Sequence, residues 1–131
     1  VYDRRSGELR YSSGGHPAAI LLSVDRDDSG DSGAVTTRLL GNKGNVAIGT
    51  FPGLQFPEAT ITVKTHDQLL VYSDGAYEIP VAEDQMLSQQ DLVDFASADA
   101  GRGPAEIYKW VQSQYGEGAL PDDFSVVKVH F

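Results

Sequence analysis

The sequence contains no cysteine. That excludes disulfides, thiol nucleophiles and thiolate metal sites, and it is compatible with a reducing cytoplasm. Positive charge is scarce: 10 Lys and Arg stand against 19 Asp and Glu, for a net charge of −9. Such a surface repels phosphates, which argues against nucleic acid or anionic membrane as partner and suits a cation or a basic partner. Long apolar runs are missing too. The longest, residues 18–22, is far too short to cross a bilayer, and no signal peptide is visible. Gly41-Asn42-Lys43-Gly44 lacks the spacing and the trailing Lys-Ser/Thr of a phosphate loop. Ser12 and Ser13 lack the spacing of a nucleophile elbow, which argues against a serine hydrolase.

What remains is an ordinary globular composition, 40% hydrophobic and 22% charged over 131 residues, enough for one domain with a modest core. The chain opens at Val1 inside a strand-like pattern and reads as a piece of something longer. Residues 1–3 and 9–12 flank a Gly-containing turn and predict a hairpin. Residues 18–24 and 35–40 read as strands, separated by an Asp/Ser/Gly-rich loop over 25–34, and residues 41–45 read as a turn. In residues 60–65, Ile61 and Val63 alternate with polar neighbours, the pattern of a half-buried strand. His66-Asp67-Gln68 turns the chain into Leu69-Leu70-Val71-Tyr72, a run that reads as a strand buried on both faces.

The second half changes character. Ser88 and Asp91 resemble a capping box that opens a helix whose apolar face is Leu92, Phe95 and Ala96. Pro104 suits the first residue of a second helix, with Ile107, Trp110 and Val111 on one stripe and Gly116 as its stop. Residues 124–131 close the chain as a strand, with Phe124, Val126, Val127 and Val129 expected inside. Hairpins, then helices, then a last strand predict an α+β fold with mostly antiparallel sheets.

The chemistry gathers at two strand ends. Asp74-Gly75 ends the central buried run, and Asp122-Asp123 immediately precedes the last strand. One sheet can bring both acidic pairs to a common edge. Oxygen-only donors suit Mg²⁺ or Mn²⁺ better than zinc, and Mg²⁺ needs only one or two carboxylates besides its waters. Asp-Gly is also an ordinary strand-ending turn. A rival site is the loop Asp25, Asp27, Ser29, Gly30, whose spacing matches the start of an EF-hand calcium loop. Its twelfth position is Thr36 rather than Glu, and both flanks read as strands, so a solvated loop is the default. His16 has no second His or Cys near it and reads as a structural histidine at a strand end. His66 and His130 suggest no catalysis.

Three stretches taken together resemble a family: residues 8–22 with Gly15-His16-Pro17, residues 67–78 with Ser73-Asp74-Gly75, and residues 122–127 with Asp122-Asp123. In this order they are similar to the bacterial SpoIIE/RsbU-type serine/threonine phosphatases of the PPM (2C-like) class, over essentially the whole chain. The resemblance implies part of an α-β-β-α sandwich. It implies two Mn²⁺ or Mg²⁺ ions and an activated water that hydrolyses phosphoserine or phosphothreonine. It implies a phosphorylated STAS-type anti-anti-sigma protein as substrate, sigma-factor signalling in the cytoplasm, and a sensory or receiver domain upstream. Carried over by position, Asp74 matches the later Asp-Gly metal ligand, with Gly75 beside it. Asp122 matches the final ligand, Asp123 is its neighbour, and Gly15-His16-Pro17 matches a structural signature. The family's first metal motif has no counterpart here. The chain therefore resembles the C-terminal half of the domain, and by itself it is expected to bind Mn²⁺ weakly and turn over little. A half-domain exposes unpaired sheet edges, which invites a homodimer. The alternative is an inactive phosphatase-like domain that binds a partner without turnover.

Overall fold

The computed structural model describes residues 1–26, 32–41 and 46–131. Two antiparallel sheets lie face to face. In the outer sheet, β1 (Tyr2–Asp3), β2 (Glu8–Tyr11) and β5 (Ala59–Thr62) run in the order β1-β2-β5. The inner sheet takes β3 (Ala19–Arg26), β4 (Ser32–Leu40), β6 (Gln68–Tyr72) and β9 (Val126–His130) in the order β4-β3-β6-β9. A small hairpin of β7 (Pro80–Ala82) and β8 (Gln85–Met86) precedes α1 (Gln89–Ala98) and α2 (Pro104–Tyr115). This is the expected α+β fold with antiparallel sheets.

Strand alternation builds the layers. On β3, Ile20 and Leu22 point to one face and Leu21 to the other. Ile20 and Leu22 join Leu70 and Tyr72 of β6 in a core closed by Leu92, Val93 and Ala96 of α1 and Ile107 and Val111 of α2. Leu21 joins Leu40, Leu9, Ile61 and Val63 in a second core between the sheets. The result is three layers: helices, inner sheet, outer sheet. Among the described residues no helix covers the far face of the outer sheet, where Arg10 forms exposed ion pairs with Glu8 and Glu58.

Both helices start as their sequence predicts. The Ser88 hydroxyl accepts from the Asp91 amide at 3.3 Å, and the Ser88 amide donates to Asp91 Oδ2 at 2.8 Å. Pro104 opens α2, and Glu106 Oε2 accepts from the Gly103 amide at 2.9 Å. The aromatic residues of the two helices meet: Phe95 stacks on Trp110 at 4.4 Å, and the Arg102 guanidinium lies 4.1 Å over Phe95. Lys128 of β9 ties down the turn between the helices, donating to Ala100 O at 2.6 Å and Arg102 O at 2.7 Å. Gly15, at φ +69°, turns the chain where a Cβ would strike Ala47 Cα at 2.5 Å. The Gly-His-Pro stretch thus has a packing role, and His16 itself is exposed.

Several expectations need correction. The described residues of the expected loop over 25–34 are strand: β3 continues through Arg26 and β4 begins at Ser32, their pairing extending to Arg26↔Ser32 past an irregularity. Gln68 is not in the turn. It begins β6, is buried at 8% exposure, and its Oε1 has no hydrogen-bond partner among the described residues. The β6 run is buried on one face only, where Gln68, Leu70 and Tyr72 point; Leu69 and Val71 are half-buried. Val127 and Val129 are not interior but 59% and 39% exposed. They share one face of β9, the edge strand of the inner sheet. Asp27, Ser29 and Gly30 of the proposed calcium loop, and residues 42–45 of the expected turn, lie outside the described residues.

Candidate metal centre

Asp74 stands just past the end of β6, an interior strand of the inner sheet. β6 lies between β3 and β9, and its last residue, Tyr72, is buried. The Tyr72 hydroxyl donates to Ala18 O at 2.6 Å and accepts from Gln89 Nε2 at 2.6 Å, joining β6, the approach to β3 and the start of α1. Burial pushes the Tyr72 phenol up to about 12, with the Gln89 hydrogen bond opposing. Beyond Tyr72 the strand stops, and a single 3₁₀ turn runs over Asp74–Ala76, closed by the Tyr77 amide on Asp74 O at 2.9 Å. Asp74 is exposed, whereas Gly75 and Ala76 behind it are buried. Burial also raises the Tyr77 phenol, and the adjacent Glu78 and Asp74 carboxylates add to the effect.

The second acidic pair comes to the same place. β6 and β9 pair up to Tyr72↔Val126, and the chain before Val126 runs on past the Asp74 turn. Gly75 sits directly on it: a Cβ there would lie 2.5 Å from Asp123 O and 3.4 Å from Asp122 C. Glycine is required by this close backbone approach, since its φ is not in the left-handed region. The Ser73 hydroxyl donates to Asp123 O at 2.8 Å and accepts from the Ser125 amide at 3.0 Å, while the Ser73 amide donates to Ser125 O at 2.9 Å. Asp122 Oδ1 accepts from the Asp123 amide at 2.7 Å. Asp74, Gly75, Asp122 and Asp123 therefore share one corner of the molecule. None of the three carboxylates has an ion-pair partner among the described residues.

The donor set is hard oxygen on rigid backbone with solvent beside it, which fits the protein share of a Mg²⁺ or Mn²⁺ site. No group of three or more metal-ligating acidic or histidine side chains occurs among the described residues, so the corner supplies part of a site and not a closed cage. A cleft of about 660 Å³ opens elsewhere, between the sheets, lined by Leu9, Tyr11, Pro17, Ile48, Leu69 and Val71; none of the three aspartates lines it.

Residues 1–131 match the family model for Stage II sporulation protein E (SpoIIE). The chain belongs to the SpoIIE family. Solved structures agree with this fold. The RsbU and RsbW domains of a Mycobacterium tuberculosis protein superpose with TM-score 0.72 at 23% identity, over 97% of this chain and 33% of that one. The PP2C phosphatase domain of Bacillus subtilis SpoIIE with a fragment of its regulatory domain gives TM-score 0.65 at 19% identity, over 99% and 36%. The Mn-presoaked phosphatase domain of the same protein gives 0.61 at 18%, over 99% and 53%. The chain thus spans about a third to a half of the length of these structures. No curated protein matches it significantly. Among the described residues no helix is long and apolar enough to cross a membrane.

The two acidic pairs stand out in the sequence, but what holds them together does not. Ser73 stands next to Asp74 in the sequence; its partners lie 50 and 52 residues further along the chain, on a separate segment. The Tyr72–Gln89 link was equally invisible, since nothing local marks a helix residue as the partner of a strand residue.

Proposed function

We propose that this chain is the C-terminal portion of a SpoIIE-type, metal-dependent protein serine/threonine phosphatase. The observation that carries the reading is the convergence of Asp74 and Asp122-Asp123 on one corner, locked through Gly75 and Ser73. Asp74 and Asp122 would hold Mn²⁺ or Mg²⁺, with Asp123 adjacent and Gly75 giving the clearance. Two such ions, when bound, supply Lewis acidity and an activated water for phosphoryl hydrolysis. The chain's own part is to present carboxylates with no ion-pair partner among the described residues, on backbone tied across the two segments by Ser73, which favours donors kept in place without reorganisation. Family membership supports a phosphorylated STAS-type protein as substrate. It also supports an upstream sensory or receiver domain and cytoplasmic signalling. The open edge of β9, with Val127 and Val129 exposed, supports self-association into a homodimer.

A second reading, a phosphatase-like domain that binds without turnover, is favoured by one observation: among the described residues the corner's three carboxylates do not come together as a group able to hold a metal ion. One experiment separates the two. Mn²⁺-dependent phosphate release from a phosphoserine protein is followed for the longer parent protein and its Asp74→Asn variant. The phosphatase reading expects a loss beyond the roughly 100-fold typical of outer-shell changes. Activity indifferent to Asp74 removes its ligand role, and an inactive parent leaves the binding reading.

A further inference from the structure

We infer that Ser73 is a positioning residue that sets the separation of the two acidic pairs before any cation arrives. This rests on the metal-site reading above and goes beyond it. The β6–β9 ladder ends just short of the acidic corner. Tyr72↔Val126 is the last pair of that ladder, and the Ser73 amide adds one more bond to Ser125 O at 2.9 Å. Past that point residues 122–125 have left strand geometry, so backbone pairing cannot continue.

The Ser73 side chain takes its place. One hydroxyl satisfies two backbone groups of the opposite segment, donating to Asp123 O at 2.8 Å and accepting from the Ser125 amide at 3.0 Å. Asp123 O is also the atom that presses on Gly75. The hydroxyl and the glycine thus grip one carbonyl between them, one by a hydrogen bond and one by the absence of a side chain. With that carbonyl fixed, the Asp123–Phe124 peptide is held in place, and it anchors beside the Asp74 turn the backbone from which Asp122 and Asp123 project. Outer residues of this kind orient ligands and typically alter metal affinity about 10- to 100-fold when changed.

The test uses Mn²⁺ alone, titrated into the longer parent protein and followed by the electron paramagnetic resonance signal of the free ion, with melting temperature as a separate readout. Ser73→Ala is expected to weaken Mn²⁺ binding about tenfold or more, at a temperature where both proteins are folded. Ser73→Thr, which keeps the hydroxyl, is expected to bind as the parent does. Should Ser73→Ala fail to fold, Ser73→Cys keeps the shape with a weaker donor and is expected to weaken binding in the same direction. A lower melting temperature with unchanged Mn²⁺ affinity would make Ser73 a stabilising residue only and overturn the proposal. So would a Thr variant as impaired as the Ala variant. Equal Mn²⁺ binding by the parent chain and Asp74→Asn overturns the metal-site reading itself and the proposal with it, a result distinct from failure at Ser73 alone.

Discussion

Gly75→Ala tests the site's architecture through stability, because two effects of opposite sign compete there. Replacing glycine reduces the freedom of the unfolded chain, which stabilises a folded protein by about 0.4–1 kcal/mol where the conformation is open to alanine. The Gly75 backbone is not in the left-handed region, so that gain is available in principle. The new methyl, however, would lie 2.5 Å from Asp123 O and 3.0 Å from Asp123 C. Both are backbone atoms, held in turn by Ser73 at 2.8 Å, and cannot swing aside as a side-chain tip would. Overpacking of this kind costs about 1–3 kcal/mol. A clash of about 2 kcal/mol offset by an entropy gain of about 0.5 kcal/mol leaves a net loss of about 1.5 kcal/mol. For a chain of this length that lowers the melting temperature by about 5 °C. Differential scanning calorimetry of the two proteins without metal measures it directly. An unchanged or raised melting temperature would show that the Asp74 turn and the Asp122-Asp123 segment do not touch, and the argument for a shared site would fall with it.

Two further outcomes follow from the packing and the caps. Leu70→Ala, at a side chain only 1% exposed between the two helices and β3, is expected to cost about 3 kcal/mol and about 10 °C of melting temperature; a loss under 1 kcal/mol would contradict the three-layer core. Asp91 is held below its ordinary carboxylate range by the Ser88 hydroxyl and amide, and Glu106 chiefly by the Gly103 amide. Because both values are depressed on folding, the stability they add is present above the unfolded values of 3.8 and 4.5 and is lost as pH falls through the lower folded ones. Melting temperature and helical circular dichroism should therefore decline between about pH 5 and pH 3. The decline should be shallower in an Asp91→Asn, Glu106→Gln double variant, and an identical pH profile for the two proteins would remove these caps from the acid transition.

The local rules carried far in this chain because they act within a few residues. Ser88 with Asp91, and Pro104 with Glu106, are capping patterns three residues long, and both helices begin where those patterns place them. Ile61 and Val63 are buried as their alternation predicts. The Asp-rich stretch misled for a related reason. Turn residues flag a loop, but the length of a hairpin is decided by cross-strand pairing, here reaching Arg26↔Ser32. Val127 and Val129 misled because apolarity favours burial only where something arrives to cover the residue, and β9 is an edge strand.

The sequence by itself determined both helices, most of the strands and the two acidic pairs at strand ends, since each is written in side chains close together along the chain. Only the tertiary structure decided that those pairs meet. Their meeting depends on β9 lying beside β6, on Gly75 admitting the Asp123 carbonyl, and on one serine hydroxyl bridging segments 50 residues apart. Contacts across that distance arise from the packing of whole layers, and no local pattern of residues encodes them.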